Sequence, residues 1–235
     1  MRCWWCHNPE GINPEIEYFK KETKIDGKII CETAQAGEWM NLPSLLEEIE
    51  KERIFLEESG GGVTFSGGEP LMQQPFLIAA LKACRERSIH TCVDTSGYAS
   101  EDIIRNVARH TDLFLYDLKL VDNEAHIKYT GVSNNLILHN LELLLRLKAS
   151  VNIRIPLVPG INDDDEQIDR MLHYLTKLPG IREVDILPFH HLARSKYKKF
   201  NLDSRMKDIP KPLDSRLAEV KTLFEEKGFK TKIGG

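Results

Sequence analysis

The chain is predicted to fold as an α/β protein, because short apolar runs alternate with amphipathic helical segments along most of its 235 residues. The runs with the composition of buried strands are residues 63–65, 90–93, 113–116, 151–155 and 184–187. Between them, apolar residues recur at helical spacing, as at Ile168, Met171, Leu172 and Leu175. This alternation predicts parallel strands joined by right-handed crossovers. Five such units are too few for an eight-stranded barrel, so a partial barrel and a doubly wound sheet both stay open.

The length fits one domain, which is predicted to occupy residues 1–235. Within it, residues 11–41 are predicted to form a loop-rich excursion, because glycines interrupt any regular pattern there. Residues 200–235 are predicted to form a C-terminal tail that contains one helix. Asn41 and Asn162 stand just before helical segments, so both are predicted to be N-cap residues.

Composition excludes several classes of function. The chain is 41% hydrophobic and 29% charged with a net charge of −4, and it shows no basic face, so nucleic acid is not an expected partner. It shows neither an apolar stretch of membrane-spanning length nor a signal segment, so no membrane association and a cytoplasmic location are expected. The five cysteines are an odd number, which favours metal or redox use in a reducing compartment over a disulfide framework.

Polar side chains follow the predicted strands at the points where these strands end. Because ligands of parallel α/β folds bind at the carboxyl ends of the strands, these side chains are expected to meet at one rim. The predicted rim residues are Glu69, Asp94, Asp117, Lys119, Arg154 and His190. Their mixed charges suit a zwitterionic amino-acid ligand.

Each group at this rim has a specific expected role. Glu69 can accept hydrogen bonds from an ammonium group, and Lys119 and Arg154 can bind a carboxylate. Asp94 and Asp117 can orient these cations or bind a hard metal ion. Two structural alternatives stay open, namely that the aspartates only form turns and that Arg154 only pairs with a buried acid.

The chain also carries a Cys-x-x-Cys pair at its start, formed by Cys3 and Cys6. Such a pair occurs in thioredoxin-like redox sites and in zinc sites, where His7 or Cys31 would be further ligands. Both interpretations are less favoured than an iron–sulfur site. A thioredoxin pair follows a strand and opens a helix, and the sequence contains no second Cys-x-x-Cys.

With the cysteines, seven stretches match one known family in the same order along the chain. They are residues 6–9, 59–69, 94–97, 117–119, 128–131, 154–160 and 187–190. The chain resembles the radical S-adenosylmethionine (SAM) enzymes that activate glycyl radical enzymes, and within them the pyruvate formate-lyase type. The resemblance runs from Cys3 to about Tyr197, and the glycine-rich stretch 59–69 is its most specific part.

The family binds a 4Fe–4S cluster through three cysteines spaced CxxxCxxC. Cys3 and Cys6 match the second and third ligands, with Trp5 at the aromatic position before the last cysteine. The remaining ligand would lie four residues before Cys3 and therefore upstream of Met1, which itself would fall inside the cluster loop. The sequence thus resembles an N-terminally truncated member, and we expect the 235-residue chain to bind a cluster poorly. The implied fold is a partial (β/α)6 TIM-like radical SAM barrel that lacks its first strand.

The resemblance also implies roles for residues of the rim. Cys3 and Cys6 would ligate the cluster and take part in catalysis, with Trp5 near the adenine of SAM. The residues implied to bind SAM are Gly67, Gly68 and Glu69 at its amino group, Lys119 and Arg154 at its carboxylate or ribose, and His190 at its adenosyl group. Asp94, Thr95 and Asp117 would surround a monovalent cation near SAM.

The implied reaction is cleavage of SAM to a 5′-deoxyadenosyl radical that takes a hydrogen atom from a glycine of a partner enzyme. The implied partners are a pyruvate formate-lyase-like glycyl radical enzyme and reduced flavodoxin or ferredoxin as electron donor. Residues 7–66 contain only Cys31, which favours the single-cluster type over activases with inserted ferredoxin-like clusters. Two alternatives stay open: a radical SAM enzyme acting on a small molecule or peptide, and a non-catalytic barrel, since the first cluster cysteine is absent.

Overall fold

The structure is a computed structural model that describes residues 1–25 and 28–234. Its strands are Glu17–Ile25 (β1), Lys28–Ala36 (β2), Gly62–Phe65 (β3), His90–Thr95 (β4), Leu113–Asp117 (β5), Val151–Leu157 (β6), Glu183–Pro188 (β7) and Lys230–Ile233 (β8). Its α-helices are Leu42–Lys51 (α1), Arg53–Ser59 (α2), Gln74–Glu86 (α3), Glu101–Ala108 (α4), Asn123–Thr130 (α5), Asn135–Arg146 (α6), Asp165–Leu175 (α7), Arg194–Lys199 (α8) and Asp214–Glu226 (α9). Within the described ranges, no helix has the length and hydropathy needed to cross a membrane.

The main sheet has six parallel strands in the order β3-β4-β5-β6-β7-β8. Each strand therefore pairs with the next strand of this set along the chain. A doubly wound sheet reverses its strand order at a switch point, whereas a (β/α) barrel keeps sequential order. The predicted α/β class is confirmed, and the sequential order matches the partial barrel rather than the doubly wound alternative.

The two ends of the chain differ from the predictions made for them. Residues 11–41 are not simply a loop-rich excursion, because β1 and β2 form an antiparallel hairpin from Glu17 to Ala36, with residues 26–27 outside the described part. The predicted helix near the C-terminus is present as α9, but residues 200–235 are more than a tail. They also supply β8, which pairs with β7 as the sixth strand of the main sheet.

Local signals explain where several helices begin and end. The Asn41 side chain accepts a hydrogen bond from Ser44 N at 2.9 Å, so the predicted N-cap of α1 is confirmed. The prediction for Asn162 was wrong, because α7 is capped by Asp164, which accepts from Gln167 N at 2.9 Å. Helix α5 ends at Gly131, whose φ of 83° is the left-handed conformation that glycine adopts without steric cost.

The two faces of the main sheet are chemically different. One face carries apolar side chains such as Phe114, Tyr116 and Ile153, which are fully buried in the main hydrophobic core. The opposite face, here called the inner face, carries the alternate residues of each strand and is rich in polar groups. A second, smaller core contains Trp5 and Phe189 and lies where the N-terminal segment packs.

Candidate active site

The inner face aligns charged residues from neighbouring strands. Asp117 of β5 lies beside Arg154 of β6, and Arg154 lies beside Asp185 of β7. Residues paired across parallel strands project to the same face, so these three side chains share the inner face with Asn152 and Asp94. These charged side chains therefore lie together because the pairing of neighbouring strands sets them in register.

An ion pair joins β4 to β6 across this face. Arg154 Nη1 lies 2.8 Å from Asp94 Oδ2, and Ser66 Oγ donates to the same oxygen at 2.8 Å. Burial and the nearby Asp117 carboxylate raise the pKa of Asp94, whereas Arg154 and Ser66 act in the opposite direction. The structure thus gives Arg154 the acidic partner that the sequence left open as an alternative to ligand binding.

Two buried polar atoms on the inner face have no hydrogen-bond partner among the described residues. They are Arg154 Nε and Asn152 Oδ1, while Asn152 Nδ2 donates to Asp185 Oδ2 at 2.8 Å. Buried polar groups are normally satisfied, so this unpaired donor and this unpaired acceptor are candidates for hydrogen bonds to a polar ligand. A zwitterion such as the methionyl end of SAM offers groups of both kinds, so these residues fit it.

Lys119 lies just beyond the end of β5 and is almost completely buried. Its Nζ is 2.7 Å from Asp117 Oδ2. Burial alone lowers the pKa of Lys119, but Asp117, with further contributions from Cys3 and Glu69, raises it above its ordinary value. Lys119 therefore stays charged, and this cation lies between the rim carboxylates and the cysteine pair.

Glu69 ties the end of β3 to the end of β4. Its Oε1 accepts from Thr95 Oγ1 at 2.6 Å, and its Oε2 accepts from Ser96 N at 3.0 Å and from Ser96 Oγ. Leu71 N also donates to Oε1 at 3.3 Å. A carboxylate has about four acceptor sites, so the protein itself already occupies them. In this arrangement Glu69 positions the Thr95–Ser96 turn.

The glycine-rich loop touches the segment that follows the cysteines. A Cβ atom on Gly68 would lie 2.3 Å from Gly11 O, so only glycine allows this backbone approach. By contrast, Gly67 has a φ of 132°, and a Cβ on it would face open space. Gly68 therefore brings the cysteine segment and the Glu69 loop together.

We expect Gly68→Ala to destabilise the protein by about 1–3 kcal/mol, because one of two backbone segments must move to admit the methyl group. The measurement is urea unfolding, with Gly61→Ala as the control. A Cβ on Gly61 would meet only the Ser59 side chain, with Ser59 Oγ at 3.0 Å. Equal effects of the two substitutions would contradict the close approach.

The cysteine pair lies against the C-terminal end of α5. Arg2 N donates to Thr130 O at 2.8 Å, Trp4 N donates to Tyr129 O at 3.0 Å, and Cys6 N donates to Cys3 O at 3.2 Å. The first two bonds use carbonyls at the end of α5 that lack intrahelical partners, and the third closes the cysteine turn itself. The matched stretch 128–131 thus acquires a physical role, which is to hold the cysteine turn.

The chemistry of this turn fits iron–sulfur ligation at two positions. Cys3 and Cys6 are free thiols, and burial raises the pKa of both, although nearby Lys119 opposes the rise at each. In residues 1–25 and 28–234, no third Cys, His, Asp or Glu joins them in a group that could hold a metal ion. The chain therefore offers two of the three thiolates of the family motif.

Met1 has a packing role in the structure and does not make up for the remaining ligand. The family resemblance predicts that Met1, two residues before Cys3, falls inside the cluster loop. In the structure its side chain is partly buried and packs against the main hydrophobic core. A thioether is also a poorer ligand for iron–sulfur clusters than the thiolates that normally hold them. Met1 is therefore an apolar anchor of the N-terminal segment and not a metal ligand.

His190 and Trp5 lie beside the cysteines rather than among the charged residues of the inner face. His190 stacks on His7 with ring centroids 4.1 Å apart, and Trp5 packs in the smaller core with Phe189. Burial and then the neighbouring His190 lower the pKa of His7 to about 4, so His7 is neutral near pH 7. A cleft beside this stack is lined by Cys6, His7 and Tyr197.

An ion pair with α8 holds the segment that follows Cys6. Lys196 Nζ of α8 lies 2.6 Å from Glu10 Oε1 and donates to Asn8 Oδ1 at 2.6 Å. Glu10 is mostly buried, so this ion pair is screened less than an exposed one. Lys196 therefore holds the residues that follow Cys6.

We expect Lys196→Met to loosen residues 7–12, because Glu10 loses its cation and Asn8 its donor. Amide hydrogen exchange in this segment should accelerate by about 10-fold, which corresponds to roughly 1.4 kcal/mol. Lys198→Met is the matched control, because Lys198 is exposed and has no ion pair in the described part of the chain. Unchanged exchange in Lys196→Met would contradict the contact.

Sequence reasoning missed two residues that support the rim. Asn162 is fully buried, and its Nδ2 donates to Lys119 O at 3.0 Å and to Pro156 O at 2.7 Å, so it fixes the backbone of Lys119. Ser96 holds Glu69 in a similar way. Ser96 directly follows the predicted site residue Thr95, and this proximity is a signal that could have identified it. Asn162 lies 43 positions from Lys119 and carries no such signal in the sequence.

Comparisons with known proteins agree with this architecture. The model of the radical SAM superfamily matches residues 1–172. Across 274 aligned positions the chain is 40% identical to the trans-4-hydroxy-L-proline dehydratase activating enzyme of Clostridioides difficile, covering 100% of this chain and 90% of that protein. Across 239 positions it is 34% identical to the pyruvate formate-lyase-activating enzyme of Staphylococcus epidermidis, covering 99% and 86% respectively.

A solved structure shows the same fold. A domain of the pyruvate-formate lyase-activating enzyme from Bacteroides vulgatus superimposes with a TM-score of 0.64 at 34% identity, covering 74% of this chain and 99% of that domain. The chain therefore belongs to the radical SAM superfamily, within the enzymes that activate glycyl radical enzymes. The cofactors of this family are a 4Fe–4S cluster and SAM.

Proposed function

We propose that this chain activates a glycyl radical enzyme of the pyruvate formate-lyase type by abstracting hydrogen from one glycine of that enzyme. The observation that carries the proposal is the inner face, where Arg154, Asp94 and Lys119 form one charged network next to the Cys3–Cys6 turn. This puts a candidate site for a zwitterionic ligand beside two thiols. A reductive cleavage of SAM needs that combination.

The residues of the chain then have distinct proposed tasks. Cys3 and Cys6 hold iron, and Lys119 and Arg154 bind the SAM carboxylate, for which Arg154 keeps Nε free of protein partners among the described residues. Gly67, on which a Cβ would meet no atom, allows the amino group close access to the backbone, while Gly68 holds this loop against Gly11. When bound, the reduced cluster supplies the electron that cleaves SAM to methionine and a 5′-deoxyadenosyl radical.

Other groups position the ligand or exclude water. Glu69 orients the Thr95–Ser96 turn beneath the ligand, and Asp94, Thr95 and Asp117 are proposed to surround a monovalent cation. His190 and Trp5 are proposed to contact the adenosyl end, because they line the cleft beside Cys6. The buried setting of Lys119 keeps water away from the radical and strengthens electrostatic contacts with SAM.

Alignment lengths support the compact, single-cluster type. The Clostridioides difficile relative needs 274 positions to align with 235 residues, so at least 39 of its residues have no counterpart here. The Staphylococcus epidermidis relative needs only 239 positions for 99% of this chain, so far fewer of its residues need lack a counterpart. Two other relatives, which activate choline trimethylamine-lyase and sulfopropanediol dehydratase, need 275 and 280 positions. The short alignment with the pyruvate formate-lyase-activating enzyme therefore supports the pyruvate formate-lyase type.

One observation favours a second candidate partner. Identity is higher with the hydroxyproline dehydratase activating enzyme, at 40%, than with the pyruvate formate-lyase-activating enzyme, at 34%. A dehydratase of the glycyl radical class is therefore the alternative substrate. If a dehydratase is the substrate, the chain abstracts hydrogen from a glycine of that enzyme by the same chemistry.

The experiment is electron paramagnetic resonance of each candidate partner after anaerobic incubation with SAM, dithionite and the reconstituted chain, extended at its N-terminus to carry a cysteine four residues before Cys3. Pyruvate formate-lyase and trans-4-hydroxy-L-proline dehydratase are tested side by side, each with a variant whose radical glycine is alanine. A glycyl radical in pyruvate formate-lyase alone supports the proposal, and a signal in the dehydratase alone selects the alternative. Cleavage of SAM without a radical in either partner would contradict activation of both.

A further inference from the structure

A buried side chain of α6 holds the segment that follows β4. Asn140 is fully buried, and its Nδ2 donates to Gly97 O at 2.8 Å and to Ala99 O at 2.7 Å. Both carbonyls belong to residues 95–99, here called the β4 turn. The first residues of this turn contact Glu69, as described above. One amide group therefore anchors the β4 turn on the side that faces away from Glu69.

Asn140 is a polar residue on an otherwise apolar face of α6. Ile137, Leu141 and Leu144 lie on the same face of the helix and pack in the main hydrophobic core. The Oδ1 atom of Asn140 is buried and has no hydrogen-bond partner among the described residues. Burying an unpaired acceptor costs free energy, so the packing of α6 alone would favour an apolar residue here. The stabilising contribution of Asn140 is therefore its attachment of the β4 turn.

Other contacts hold the same turn at Gly97. Tyr116 Oη donates to Ile137 O of α6 at 2.7 Å, and a Cβ on Gly97 would lie 1.7 Å from this hydroxyl oxygen. Gly97 N donates to Thr95 Oγ1 at 2.9 Å. Gly97 therefore lies between a fixed hydroxyl and the donors of Asn140, and a change at Asn140 is transmitted to the start of the turn.

The start of the β4 turn supplies most of the hydrogen bonds to Glu69. Thr95 and Ser96 are both buried, and together they donate three hydrogen bonds to the Glu69 carboxylate. A fourth comes from Leu71 N at 3.3 Å, on the segment that follows the glycine-rich loop. Leu71 thus contacts Glu69 without belonging to the β4 turn. Its amide reports whether the carboxylate keeps its place.

We propose that Asn140 is a positioning residue for the SAM site, where it holds the β4 turn and through this turn fixes the Glu69 carboxylate. The inference rests on the proposed function for the identity of the ligand. Asn140 exchanges no atom, proton or electron with the ligand. Its loss should therefore weaken ligand binding and leave the chemistry of the bound ligand unchanged.

The first test is amide hydrogen exchange in the 235-residue protein, which requires no ligand. Asn140→Leu removes both donors and places an apolar side chain of similar size on the apolar face of α6. Asn135→Leu is the matched control, because it makes the same substitution in the same helix at an exposed position. Asn140→Ser, which is too short to reach both carbonyls, is the second variant if thermal unfolding shows that Asn140→Leu is not folded.

We expect exchange of the Ser96 and Leu71 amides to accelerate at least ~10-fold in Asn140→Leu and less than about 2-fold in Asn135→Leu. The amide of Phe224 in α9, a helix that packs against β7 and β8, should change less than about 2-fold. Acceleration at Ser96 with Leu71 unchanged would overturn the proposal, because the effect would then stop at the turn. Equal acceleration at Phe224 would also overturn it, because the effect would then be a general loss of stability.

The second test measures the ligand directly. SAM is titrated by calorimetry into the reconstituted chain, extended at its N-terminus to carry a cysteine four residues before Cys3, in the absence of a reductant. We expect Asn140→Leu to raise the Kd for SAM about 10-fold and Asn135→Leu to leave it unchanged. With dithionite present, the KM for SAM should rise while kcat stays within about 2-fold. A lower kcat with an unchanged Kd would contradict a positioning role.

The two tests separate this proposal from the proposed function. If the unsubstituted extended chain does not bind SAM, the proposed function is wrong, and exchange of the Leu71 amide still decides whether Asn140 fixes Glu69. If that chain binds SAM and Asn140→Leu binds it equally well, the positioning role is wrong and the proposed function stands.

Discussion

Lys119→Met is expected to lower the free energy of unfolding by about 2–4 kcal/mol. Lys119 is nearly completely buried, and its Nζ lies 2.7 Å from Asp117 Oδ2. Removing one member of a buried ion pair leaves an uncompensated charge in a poorly hydrated site, and that loss exceeds the net value of the intact pair. Asp117 retains some exposure, which places the expected cost below that of a fully buried pair.

The double variant Asp117→Asn/Lys119→Met separates charge balance from packing. We expect it to recover more than half of the lost stability, because no unpaired charge remains. Urea unfolding of the single and double variants at neutral pH measures this coupling. If the two variants are equally unstable, the cost arises from packing and not from the ion pair. SAM binding should stay impaired in both, because each lacks the Lys119 cation.

Gly97→Ala is expected to destabilise the protein more than any other glycine substitution at the rim. Gly97 has a φ of 71°, and a Cβ there would lie 1.7 Å from Tyr116 Oη. Tyr116 cannot retreat easily, because it is fully buried and donates to Ile137 O at 2.7 Å. Backbone strain and overpacking together should cost about 3–4 kcal/mol.

A matched glycine isolates the steric part of this effect. Gly160 has a φ of 72°, and a Cβ on it would meet no atom within 4 Å. Gly160→Ala should therefore cost only about 1 kcal/mol, which is the strain of a left-handed alanine. Thermal unfolding of both variants is the measurement. A loss for Gly160→Ala as large as that for Gly97→Ala would show that the overlap with Tyr116 contributes nothing.

The central strands and the charged rim could be predicted because local patterns determine them. The apolar runs that became β4 to β7 contain most of the buried residues of these strands, so their composition identifies them. Strand pairing then placed the predicted rim residues Asp117 and Arg154 side by side, together with Asp185, which was not among the predicted rim residues. These features follow from residue type and period.

Elements whose stability comes from distant contacts could not be predicted in this way. The strands of the hairpin alternate charged residues such as Lys20 and Lys24 with few apolar ones, so their pairing leaves little hydrophobic pattern. Strand β8 buries only Thr231, because it lies at the edge of the sheet. Asn162 resembles a helix cap in sequence, yet its partners are carbonyls brought near by the fold.

The central claim is that Cys3, Cys6 and the inner face together cleave SAM. The most direct measurement is anaerobic formation of 5′-deoxyadenosine from SAM with dithionite, comparing the 235-residue chain with the chain extended to carry a cysteine four residues before Cys3. We predict turnover in the extended chain, much less in the 235-residue chain, and none above a protein-free control when Cys6→Ser is added to the extended chain. Undiminished turnover in Cys6→Ser, or none in the extended chain, would contradict the claim.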